Sequence, residues 1–134
     1  MNLKLVAALL GAVLVHVAAS ANTLDLCQKA ATNANRMGVV QKDKYTFSKS
    51  AACIPASPKH RFVYMLELRG LPNDVFRQID FARDIKPSGL NQFCTDPDMR
   101  ALLNAYDVDH RYYSEDGTFI GSILMQSQEC GQRR

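Results

Sequence analysis

The stretch that decides the fold reads Arg61-Phe62-Val63-Tyr64-Met65-Leu66-Glu67-Leu68-Arg69, followed by Gly70-Leu71-Pro72-Asn73. In its first part Phe62, Tyr64, Leu66 and Leu68 share one side of an extended chain, while Arg61, Glu67 and Arg69 mark the other. Successive side chains on a strand point to opposite faces, so this alternation predicts a strand with one buried face. Glycine and proline then end it and the period changes. Val75, Phe76, Ile79, Ala82 and Ile85 trace one helical face, which Pro87-Ser88-Gly89 is expected to break.

Upstream, Thr23 to Met37 predicts a helix. Leu24, Cys27, Ala31, Ala34 and Met37 recur at helical spacing, Thr23 can cap the start, and Gly38 can supply a left-handed stop. A polar stretch with Lys42, Asp43 and Lys44 follows. Tyr45 and Phe47 then alternate with Thr46 and Ser48, a strand pattern continuing to Cys53 and Ile54. Pro55-Ala56-Ser57-Pro58 must turn, which pairs this strand with Arg61–Arg69 as a hairpin.

Downstream, Leu90 to Cys94 reads as a helical turn, and Thr95-Asp96-Pro97-Asp98 as a helix start with Thr95 as its cap. Met99, Leu102 and Leu103 give that helix its buried side. Val108 to Tyr113 and Thr118 to Gln126 are strands joined through Ser114-Glu115-Asp116-Gly117, where Asp-Gly is a strong hairpin signal. The expected order is α-ββ-α-α-ββ: an α+β domain whose antiparallel sheet of about four strands is covered on one face by helices.

The first 21 residues are of a different kind. Lys4 precedes an apolar run from Leu5 to Val15, and Ala19-Ser20-Ala21 closes the stretch. This is the layout of a cleaved secretory signal peptide over residues 1–21. The run is shorter than the roughly 20 apolar residues of a membrane span. A lipoprotein would need a cysteine at the cut, whereas Cys27 lies further on behind Leu24-Asp25-Leu26. No stable membrane anchor is expected, and residues 22–134 form one small domain in the periplasm or outside the cell.

Cys27, Cys53, Cys94 and Cys130 all lie in that domain, and an even count in an exported chain implies disulfides. Four cysteines allow three pairings, and sequence alone does not choose among them. The favoured one joins Cys94 to Cys130, tying the turn before the last long helix to the chain end, and leaves Cys27 with Cys53. Redox pairs and zinc sites need close-set cysteines, and here the nearest are 26 positions apart.

Little in the chain points to catalysis. The net charge is +3, about +2 once Lys4 is removed, and its basic residues are scattered among acids such as those of Arg77/Asp80 and Arg83/Asp84. Nucleic-acid binding needs a clustered basic face, and only the Arg133-Arg134 tail is locally basic. His60 sits in a proline-flanked turn between Lys59 and Arg61. His110 is expected on the face of Val108 and Tyr112, opposite Asp109, which separates the two as ligands or partners. Asp96 and Asp98 are explained by the helix start. No nucleophile, zinc-protease, phosphate-loop or dinucleotide motif is present. No catalytic residue, metal or cofactor is expected. The remaining candidate is a surface: Arg111 and Tyr113 share one side of a strand as an aromatic-basic strip for a partner, and an uncovered edge strand could accept another strand.

The segment Phe93-Cys94-Thr95-Asp96-Pro97-Asp98-Met99-Arg100-Ala101-Leu102-Leu103 resembles a pattern of small exported bacterial proteins. So do its continuation Tyr112-Tyr113-Ser114-Glu115-Asp116-Gly117 and the closing Cys130. There a Cys-x-Asp-Pro helix start precedes an aromatic hairpin and a terminal cysteine. The chain is also distantly similar to the quorum-sensing-regulated virulence factor families and to the pilotins of type II secretion. Pilotins travel as lipoproteins, and this chain lacks the lipid-attachment cysteine. The shared positions are architectural, so no functional residue is carried over. The leading expectation is a non-enzymatic accessory or binding protein of the bacterial envelope, partnered by another envelope or secreted protein. The alternative is a small envelope hydrolase or an enzyme inhibitor.

Overall fold

The computed structural model describes residues 23–131. The signal peptide expected over residues 1–21, and the Arg133-Arg134 tail, lie outside the described residues. The elements are α1 (Thr23–Arg36), β1 (Val40–Gln41), β2 (Thr46–Ile54), β3 (Arg61–Leu68), α2 (Asn73–Gln78), a π-helical turn (Phe81–Ile85), α3 (Lys86–Thr95), α4 (Pro97–Ala105), β4 (Asp107–Tyr113) and β5 (Phe119–Met125). A short 3-10 turn (Ser127–Glu129) follows.

The sheet has five strands in the order β1-β2-β3-β4-β5. Both expected hairpins form: Cys53 pairs with Phe62 in β2–β3, and Val108 with Met125 in β4–β5. The seam between them differs from the expected antiparallel sheet. β3 and β4 run parallel, from Arg61 beside Asp107 to Glu67 beside Tyr113. A parallel pair needs a long crossover, and residues 69–106 supply it by carrying the chain over one face of the sheet and back to its starting end. The fifth strand is the two-residue β1, which folds back on β2 where only a polar stretch was expected.

Among the described residues, α1, α3 and α4 pack on the face formed by Phe62, Tyr64, Leu66 and Leu68, together with Val108, His110 and Tyr112. A bulge between Ser48 and Ser50 sets the register of β2 on this face. Before it, Thr46 and Ser48 point to the helices; after it, Ala51 and Cys53 do. Phe47 is thereby turned to the opposite face. The core closes on Met99, Leu102, Leu103 and Tyr106 of the last helix and its end, and the Tyr106 hydroxyl donates to the Thr23 carbonyl at 2.8 Å.

The crossover corrects three expectations. The helix traced from Val75 to Ile85 is interrupted at Ile79 and Asp80, whose backbones are extended (ψ 121° and 101°). Asp80 is the cause: its carboxylate accepts from the Arg83 amide at 3.1 Å, while its own amide donates to Asp84 at 3.0 Å, so a new helical segment starts there. Pro87 does not break the helix. It lies in the first turn of α3, directly after the π-helical turn, and the chain stays helical through it. Thr95 is not the cap of α4 either. Asp96 is, accepting from the amides of Asp98 and Met99 at 3.0 and 3.3 Å, while Thr95 ends α3 and bonds back to the Asn91 carbonyl.

The disulfides join Cys27 to Cys53 and Cys94 to Cys130, with Cα separations of 5.7 and 5.5 Å. The first fastens α1 to β2 and the second α3 to the C-terminal turn. No described helix is long and apolar enough to cross a membrane.

Candidate functional site

Two regions of the described residues carry chemistry beyond packing. One is the sheet face that no described helix covers. The parallel register places Val63, Met65 and Glu67 of β3 beside Asp109, Arg111 and Tyr113 of β4 on this face. Two carboxylates sit in its middle, and each is shared by two cations. Asp109 is 4% exposed; Arg111 donates to its Oδ2 at 3.1 Å and Arg61 stands 3.8 Å from the same oxygen. Glu67 is 6% exposed and takes Lys49 at 3.4 Å together with Arg69. The Arg69 hydrogen bond, ahead of the opposing effect of burial, holds the Glu67 carboxyl below its ordinary range.

Aromatic rings flank these rows. The Arg69 guanidinium lies over Phe47 at 4.1 Å, a cation–π contact. In the same cross-strand row, on the other side of Glu67, Tyr113 meets Phe119 edge-to-face at 5.7 Å, and Phe119 is 54% exposed. Arg111 and Tyr113, the two surface residues named from the sequence, thus lie on one face. Sequence reasoning missed Phe47, Arg69 and Phe119. Phe119 was legible as the second residue after Asp116-Gly117, but the bulge opposite Tyr112–Tyr113, which brings it beside Tyr113, has no local signature.

The second region is a cavity of about 350 Å³ on the helix-covered face. Its floor is Leu66 and Leu68 of β3, His110 of β4 and Ile123 of β5; Phe81 and Gln92 wall one side, and Lys42 with Thr46 the other. The wall stands where it does because Gly121 lets Phe81 lie on the sheet: a Cβ there would fall 2.4 Å from the ring. Phe81 in turn packs on Tyr112 at 5.0 Å between centroids.

His110 lies on the face of Val108 and Tyr112, with Asp109 on the other. It is 6% exposed, ringed by Tyr64 and Phe93 at 5.4 and 5.7 Å, and its Nε2 is enclosed with no hydrogen-bond partner. Burial, reinforced by the nearby Lys42 charge, pushes its pKa down to about 3, so the imidazole is neutral. The Tyr64 hydroxyl is also enclosed without a partner, and burial raises its pKa. The Lys42 ammonium lies 5.9 Å from the Tyr64 ring centroid, and burial lowers its pKa to about 8 against the opposing pull of Asp43. Sequence reasoning placed Lys42 only in a polar stretch. Its neighbours in the chain are polar, and only the fold brings it over β3 and β4.

His60 lies away from both regions; its Nδ1 accepts from the Ala56 amide at 3.2 Å. Asp96 and Asp98 lie at the start of α4. Among the described residues no three His, Cys, Asp or Glu side chains converge as metal ligands.

The architecture can be compared with known proteins. No protein-family model and no curated protein matches the sequence. A candidate secreted protein from Pseudomonas aeruginosa is similar in structure, with a TM-score of 0.65 at 9% identity, covering 81% of this chain and 93% of that one. A pilotin of the Vibrio vulnificus type 2 secretion system is similar with a TM-score of 0.52 at 10% identity, covering 83% of this chain and 97% of that one. What is shared is the fold. The resemblance to pilotins drawn from the sequence therefore holds for the architecture, and no site residue is transferred by it.

Proposed function

We propose that this protein is an exported, non-enzymatic accessory protein of the bacterial envelope that docks another envelope or secreted protein on the uncovered face of its sheet. The observation that carries the reading is the pattern on that face: four cations, Lys49, Arg61, Arg69 and Arg111, around two carboxylates, flanked by Phe47 and by the Tyr113–Phe119 pair. Arginine and aromatic side chains are enriched at protein interfaces, where they combine apolar area with directional bonds. The excess of cations favours a partner segment with acidic groups beside apolar ones. Two disulfides fit an oxidising compartment. The fold shared with a secretion pilotin supports the accessory class by analogy.

The test is capture from periplasmic extract on the immobilised protein, compared with an Arg111→Glu/Phe119→Ser variant whose far-UV spectrum is unchanged. The expected result is a partner retained by the original chain and lost by the variant, with retention weakening as salt rises. Equal retention by the two proteins, or none by either, overturns the reading.

A further inference from the structure

The helix-side cavity is independent of the docking face and lies across the sheet from it. We propose that it is a binding site for a small monocarboxylate with a short apolar chain, the carboxylate held by Lys42 and the chain lying on Leu66, Leu68, Phe81 and Ile123.

Its contents argue for this class. An empty apolar pocket would have no need of an amine, yet Lys42 stands in the wall with no carboxylate within ion-pair distance among the described residues. Lys42 is half-buried, and taking its amine partly out of water with no ion-pair partner disfavours the charged form, in keeping with its lowered pKa. The neighbouring imidazole of His110 is neutral, and its enclosed Nε2 is unpartnered. One cation beside a neutral ring suits a single negative charge. Of the rim carboxylates, Asp84 is paired with Arg83 and Asp43 accepts from the amides of Tyr45 and Thr46; the single ammonium of Lys42 disfavours a cation and matches one negative charge better than the two of a phosphate monoester. The apolar floor adds the favourable burial of a hydrocarbon chain at about 25 cal/mol per Å², and a volume of about 350 Å³ sits at the small end of ligand pockets.

The probe is octanoate, titrated into the oxidised full-length exported chain by calorimetry and amide NMR, with octanol and octylamine as comparisons. Octanoate should bind at least tenfold more tightly than either, shifting the amides of Leu66, His110 and Ile123. Lys42→Met should remove that preference and leave octanoate and octanol alike. A second measurement needs no variant. The titratable groups facing Lys42 are Asp43 on its own turn, Asp84 on the π-helical turn, Tyr64 on β3, and His110 and Tyr112 on β4. The tyrosines are held above pH 9 and His110 far below pH 7. Octanoate affinity should therefore fall about tenfold from pH 7 to pH 9 as Lys42 loses its proton, while octanol affinity stays level. Octanol or octylamine binding as well as octanoate, or a flat pH profile, overturns the proposal. Loss of this binding would leave partner capture on the opposite face untouched.

Discussion

Acidifying the protein from pH 7.5 to 5 should weaken it through one side chain, His110. In the unfolded chain its pKa is near 6.5; in the native protein, burial holds it near 3. A histidine depressed in this way contributes stability that is whole above pH 6.5 and is lost as pH falls toward 3, because the unfolded state takes up a proton that the native state refuses. Each pH unit inside that window removes about 1.4 kcal/mol. From pH 7.5 to 5 the loss works out at about 2 kcal/mol, a sizeable part of the 5–15 kcal/mol typical of a domain. The native carboxylates with lowered pKa, Glu67, Asp84 and Asp116, keep their stabilisation above their unfolded values of 4.5 and 3.8 and lose it only below them, so they leave this window to the histidine. The assay is urea unfolding of the oxidised protein at half-unit pH steps, repeated on His110→Gln. The slope should be present in the original chain and flattened in the variant, whatever the variant does to stability at pH 7.5. A stability that is level from pH 7.5 to 5, or an equal slope in both proteins, would refute the reasoning.

Two further perturbations probe the frame around the cavity. Gly121→Ala would place a Cβ 2.4 and 2.6 Å from two carbons of the Phe81 ring, where ordinary contact is about 3.5–4.0 Å. It should destabilise by about 1–3 kcal/mol in equilibrium unfolding and by less than half that in a Phe81→Leu background; equal costs in both would show that the ring is not the obstacle. Replacing either cysteine pair by alanine should cost about 3.5–4 kcal/mol, since the closed loops span 26 and 36 positions and loop entropy grows slowly with length. A pair whose removal costs under about 1 kcal/mol would contradict this loop-entropy account.

How far the sequence carried is best judged residue by residue. The alternation from Phe62 to Leu68, the Asp96-Pro97 helix start and the Asp116-Gly117 hairpin are local signals, and local physics alone suffices to place them. The parallel β3–β4 seam is not local: Arg61 meets Asp107 across the whole crossover, and a strand's own pattern does not say which way its neighbour runs. Asp80 and Pro87 show a second kind of limit. Each residue type can end a helix or begin one, and the choice depends on which backbone amides the neighbouring turns leave open. The same holds for the sites. Arg111 and Tyr113 were legible as residues two apart on one strand, whereas Phe119 joins them through a bulge and Lys42 reaches its cavity through a two-residue strand with no period to read.

Neither disulfide crosses the β3–β4 seam. Cys27–Cys53 closes within the first half of the chain, and Cys94–Cys130 within the second. The protein is thus two separately stapled pieces, residues 23–68 and 86–131, joined by a single passage of backbone through α2 and the π-helical turn. A protease cut between Arg69 and Asp80 would leave no covalent tie between the pieces. They would then be a heterodimer held by seven strand pairings and the core beneath them. This layout also lets each bond form from its own neighbourhood, before the two pieces have found one another.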